Sequence, residues 1–114
     1  MSQNRNKLIE MFIGNLSNAI IHEILERAIQ KEEVSNKYLK EIKTSIESAQ
    51  KYRSIINPIK APLIIKDIDY IRNKLVRKVE SDLKTRASRN YENIDMTLIK
   101  PLIEKRLKEL KITG

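Results

Sequence analysis

His22 is the only histidine in 114 residues, and the chain holds no cysteine. Nucleophilic catalysis needs a base beside the nucleophile and a third group to orient that base, which one imidazole cannot supply alone. Structural zinc sites draw on cysteine and histidine, so the same count argues against a zinc centre. His22 falls on the border between the apolar and polar sides of a helical segment, where a histidine packs by its ring. Carboxylate pairs are the next route to acid–base or metal chemistry, and Glu23 with Glu26, or Asp67 with Asp69, come nearest. The first pair lies on a polar helix face, and the second begins a helix, where negative charge complements the dipole. Solvation and capping account for both. Gly14 and Gly114 are the only glycines, so there is no glycine-rich loop to cradle a phosphate. The expectation is a protein without catalytic residues, metal or cofactor.

Two arginines interrupt otherwise clean apolar faces. Arg53 stands between Ala49 and Ile56 on one helical stripe, and Arg72 stands between Ile68 and Leu75 on the next. Both lie within one or two turns of the same proline-containing connection. If their helices are antiparallel neighbours, the two guanidinium groups approach one end of the bundle. A guanidinium centred on an apolar stripe must reach solvent past the end of its helix or find partners, because an unpaired internal charge is expensive. Glu23, Glu26 and Asp69 are the candidate partners. Alternatively, the planar forks form an anion site for a phosphate or a partner's carboxylate.

Around them lies a basic surface. Lys37, Lys40, Lys43 and Lys51 occupy the outer side of the helix carrying Arg53, while Lys74, Arg77, Lys78 and Lys84 occupy that of the helix carrying Arg72. Such charges also simply solvate a helix, and Glu47–Lys51 and Glu80–Lys84 are ordinary i,i+4 pairs. The residues singled out for anion or partner binding are Arg53, Arg72, Lys40, Lys43, Lys74, Arg77 and Lys78.

Four helical segments must position these residues, read from apolar spacing at about 100° per residue. In the second, Leu39, Ile42, Ile46, Ala49 and Ile56 follow 3/4 spacing, with Ser35 placed as N-cap and Val34 placed to staple onto Leu39. Asn57-Pro58 ends it, since the residue before proline avoids the α region. The following NPIKAPLIIK reads as an extended connection with Leu63, Ile64 and Ile65 tucked against the core. Asp67 is placed to cap a third helix, whose Ile68, Ile71, Leu75, Val79, Leu83 and Ala87 share a face that fades near Ser88 to Asn90. A polar link, RNYENID, leads to a last stripe of Leu102, Ile103, Leu107 and Leu110. Pro101 suits the first helical position there, with Met96 to Lys100 a separate turn or a kinked lead-in.

The first segment, about residues 5–32, carries two apolar faces. Leu8, Ile9, Phe12, Ile13, Leu16 and Ala19 share one, while Ile20, Ile21, Ile24, Leu25, Ala28 and Ile29 share another, rotated by roughly 130°. Either the helix breaks around Gly14 to Asn18, or a continuous helix gives one half to its own core and the other to a second subunit. The second outcome is the one expected, hence a homodimer.

Composition agrees with an ordinary folded domain: 40% hydrophobic and 33% charged residues. A chain of this length buries roughly 65% of the surface it exposes when unfolded, enough for one core and not two. The net charge of +8 favours acidic partners. The excess is concentrated mid-chain: residues 36–66 hold seven Lys/Arg against two Asp/Glu, whereas residues 1–35 hold four against five. Four Tyr, one Phe and no Trp leave little platform for stacking single-stranded bases, though contacts to duplex phosphates do not need one. MSQNRNK does not read as a signal peptide, and no run approaches the roughly 18 apolar residues of a membrane span. The expectation is therefore one all-α domain over residues 1–114, a bundle of about four helices, cytoplasmic and homo-oligomeric. Its expected role is non-catalytic binding or assembly. The alternative is a nucleic-acid-binding accessory protein contacting phosphates through the second and third helices, and an acidic protein is a further possible partner.

Overall fold

A computed structural model describes residues 5–29, 32–57, 63–89 and 93–113. It is an all-α bundle: α1 spans Arg5–Ala28, α2 Glu32–Ile56, α3 Ile65–Ser88 and α4 Ile99–Glu109, with a single 3-10 turn, Met96–Leu98, leading into α4. The described residues contain no strand.

The two faces of α1 decide the arrangement. The helix runs unbroken through Gly14, and both faces are covered by the same chain: Phe12, Ile13 and Leu16 on one, Ile20, Ile24 and Leu25 on the other, are all at most 1% exposed. Covering both requires neighbours on two sides. α2 lies along α1 as its most extensive partner, α3 and α4 close over the rest, and α2 does not pack along α3. The apolar surface that motivated a dimer is thus spent within one chain. By length and composition α1 could also cross a membrane, but its apolar side chains form the centre of this bundle.

α2 presents Ile42, Ser45, Ala49, Arg53 and Ile56 to that core at 3/4 spacing. Leu39 does not join them and is half exposed, because Tyr38 takes the inward position in that turn and stacks on His22 at 5.3 Å between ring centroids. Ser35 is no N-cap either. The helix already begins at Glu32, and the Ser35 hydroxyl instead donates to Glu26 Oε1 at 2.7 Å, tying α2 back to α1. α2 ends at Ile56, as Asn57-Pro58 requires.

In the connection expected to be extended, residues 58–62 lie outside the described residues. Leu63 is buried, but Ile64 and Ile65 are not, at 62% and 76% exposed. α3 starts at Ile65 without a side-chain cap, and Asp67 sits in its first turn, where it pairs with Arg5 rather than capping. Ile71, Leu75, Val79 and Leu83 are its buried stripe, Ile68 is half-buried and Ala87 is exposed. In the polar link, residues 90–92 lie outside the described residues. Asp95 then caps the 3-10 turn, accepting from the Thr97 amide at 3.0 Å. Pro101 falls at the third position of α4, still within the first turn, where its missing N–H is no loss.

The C-terminal end of α4 is closed by a Schellman turn. The Ile112 amide donates to the Leu107 carbonyl at 2.9 Å and the Lys111 amide to the Lys108 carbonyl at 3.1 Å, with Lys111 in the left-handed region at φ 60° and Ile112 buried just beyond.

Candidate anion-binding groove

The bundle leaves a groove of about 780 Å³ between α1 and α3. Its floor comes from α1: Gly14, Ser17, Asn18 and Ile21, a run at 3/4 spacing that is the least bulky stripe of that helix. Its wall comes from α3, where Lys74, Arg77 and Lys78 stand towards one end and Arg86 and Arg89 towards the other. Ser81, Asp82 and Thr85 fill the middle of that wall. At 1.5 Å rise per residue the cations extend over about 22 Å.

Only Arg86 is neutralised locally, with Nε donating to Asp82 Oδ1 at 2.6 Å. Lys74, Arg77, Lys78 and Arg89 make no ion pair with another described residue. Lys74 and Lys78 are i,i+4 neighbours, and Lys74 and Arg77 are i,i+3, so α3 bears like-charge repulsion that a bound anion would relieve. None of the described aromatic side chains lines the groove.

The residues singled out from sequence do not share one site. Lys74, Arg77 and Lys78 come together in the groove wall. Lys40 lines a separate, shallower recess on α2 with Glu41, Thr44 and Ser45, and Asn18 lines both depressions. Lys43 is exposed on α2 and lines neither.

Arg53 and Arg72 do not meet in a shared site, because α2 and α3 flank α1 rather than each other. Arg53 is 2% exposed and grips carbonyl oxygens: Nε and Nη2 donate to Lys111 O at 3.2 and 2.9 Å, and Nη1 donates to Asn57 O at 3.2 Å and Asn57 Oδ1 at 2.5 Å. Burial pulls its pKa below the ordinary arginine value. Arg72 leans instead onto α4 and pairs with Glu104 and Asp69 near the surface. The hydrogen bond to Glu104 raises its pKa. Of the acids expected as partners, Glu23 pairs with Arg106 and Glu26 with Ser35, while Asp69 does reach Arg72.

His22 sits beside the groove without lining it. Nε2 faces Glu41 Oε2 at 2.9 Å across the α1–α2 contact, and Nδ1 is buried without a hydrogen-bond partner among the described residues. Burial lowers its pKa below 6.5, against the opposing pull of Glu41, and Arg86 lowers it further.

Arg86, Arg89 and the α1 floor are the members that sequence reasoning missed. The arginines continue the 3/4 progression from Lys74 through Lys78 and Asp82, so extending that stripe finds them. The floor has no such signal, since Gly14 to Asn18 reads equally as a helix break.

The fold and groove together define a small basic helical bundle with an open cationic cleft. Comparison with protein-family models, curated proteins and solved structures finds no match for this chain.

Proposed function

We propose that the protein is a non-catalytic binding module whose ligand is the sugar–phosphate backbone of a duplex nucleic acid. One observation carries this reading: four cations without ion-pair partners among the described residues line one wall of a single groove. A linear array over about 22 Å follows successive phosphates of one strand, whereas an isolated anion would need only one converging cluster. None of the described aromatic side chains lines the groove, which favours a duplex over a single strand, whose bases would need stacking partners. On this reading the cations meet phosphates rather than base edges, so binding is expected to be independent of sequence.

Fluorescence anisotropy with a labelled duplex across a salt series tests this. With about four phosphates neutralised, log K should fall against log salt with a slope of about −4. Replacing Lys74, Arg77 and Lys78 by glutamate should abolish binding. Replacing Lys37, Lys43 and Lys51, which changes net charge equally away from the groove, should leave most of it. Equal loss in both triples would mean that net charge, and no site, attracts the duplex.

Assembly is the second reading, favoured by Ile64 and Ile65 standing exposed side by side at the start of α3. An apolar contact there is insensitive to salt, so self-association by light scattering that persists at high salt and is lost in Ile65→Ser would favour it.

A further inference from the structure

Gly14 stands well inside α1, where glycine is the poorest residue after proline because it gives up the most backbone freedom. Inside a helix, glycine ordinarily answers a crowding neighbour. Here no neighbour crowds it: apart from its two chain neighbours and the local helix backbone, a Cβ built on Gly14 meets no atom within 4 Å. The space that Cβ would enter is the groove, because Gly14 lines its floor.

Two of its neighbours on the floor hold their polar atoms to other groups. The Ser17 hydroxyl turns back onto the Gly14 carbonyl at 3.0 Å, and the Asn18 amide nitrogen turns aside to Ser45 Oγ at 2.8 Å. Facing Gly14 across the groove is the wall with Lys74, Arg77, Lys78 and Arg89.

The geometry points to a ligand seated on the α1 backbone at Gly14: the sugar–phosphate ridge of a duplex, entering edge-on, with its phosphates towards the α3 cations and its sugars against the floor. This rests on the duplex-binding reading above and adds the depth of seating to it. A ligand held only at the charged rim would be indifferent to a side chain at position 14. A ligand seated on the floor would not, and Gly14 then sets the depth and width of what the groove admits. Both DNA and RNA duplexes present such a ridge, so the two are compared directly.

The test measures affinity of the full chain for one duplex prepared as DNA and as RNA, at fixed and at varied salt. The variants are Gly14→Ala, Gly14→Leu and Lys74→Glu/Lys78→Glu. Gly14→Ala should melt higher, by about 3–6 °C, because alanine is the better helix former and meets no clash. Despite that gain it should bind less well. Gly14→Leu, whose Cβ meets no clash and whose fold is checked by circular dichroism, should weaken binding by about tenfold or more. The salt slope of either Gly14 variant should match wild type, since no phosphate contact is removed, while the double lysine variant should have a shallower slope. Obstruction of one duplex type alone supports the seating and assigns the floor to that type. If Gly14→Leu binds both duplexes within about twofold of wild type while the lysine variant loses binding, the wall holds its ligand at the rim and this inference is overturned. If the lysine variant also binds normally, the duplex-binding reading itself fails.

Discussion

Replacing Arg53 by methionine keeps most of the aliphatic volume of a 2% exposed side chain while deleting the four hydrogen bonds it donates to Lys111 and Asn57. Two acceptor sites lose the guanidinium: the Lys111 carbonyl, whose residue sits at φ 60°, and the Asn57 side chain and carbonyl at the end of α2. Stranding acceptors in a part-buried setting costs about 1–3 kcal/mol each. Relief of a buried guanidinium offsets part of that. The net expectation is a loss of about 3 kcal/mol, or about 10–15 °C in Tm for a chain of this size. Urea denaturation followed by helical circular dichroism measures it, provided the m-value stays at the wild-type value. Arg53→Lys should recover only part of the loss, because a single ammonium cannot span both acceptors as the planar fork does. Arg72→Met is the internal contrast. Its partners Glu104 and Asp69 are about half exposed, so solvent screening holds its cost below about 1 kcal/mol. An Arg53→Met protein within about 0.5 kcal/mol of wild type, or equal losses at the two arginines, would refute the idea that Arg53 clamps the C-terminal turn to α2.

Two further substitutions have expected signs. Lys111→Gly removes a Cβ from a left-handed residue without touching its carbonyl, so it should raise stability by about 0.5–1 kcal/mol in the same denaturation assay. His22 titrates below 6.5 in the folded chain because it is buried, so on acidification the unfolded chain takes up that proton first and stability rises with pH in this window. Its contribution is complete above 6.5 and is lost as pH falls through the lowered value. Melting temperatures of wild type and His22→Gln across this range should therefore converge towards the acid side.

Periodicity placed the bulk of the core correctly wherever a helix buries a single stripe. Ile71, Leu75, Val79 and Leu83 of α3, and Leu102, Ile103, Leu107 and Leu110 of the last segment, are buried as their spacing requires. It could not say what covers the second face of α1, because a helical wheel shows that a face needs a partner without showing where the partner comes from. Capping signals at Ser35 failed because tertiary contact overrode them: the Ser35 hydroxyl found Glu26 of α1 before it found its own amides. The arginines were legible as anomalies on their stripes. Their partners were not, since Arg53 reaches a carbonyl 58 residues away and Arg72 a carboxylate 32 residues away. Three of the groove's cations were visible as a basic helix face, yet the groove exists only because α1 turns its small stripe towards them, a pairing of two elements that no single-helix pattern contains.

The central place of α1 carries a consequence for synthesis. Of the four helices the most apolar is made before the three that cover it, and α2, the next in sequence, is the earliest that can shelter it. Its other flank waits for α3 and α4, and the Glu23–Arg106 pair that ties it to α4 joins residues 83 positions apart. Throughout that interval the nascent chain presents an uncovered row of isoleucine and leucine, the kind of surface on which chaperones act and aggregates begin. Among these four helices an α1–α2 hairpin is therefore the unit that can form before α3 and α4 are made, and α1 is fully covered only when both have followed.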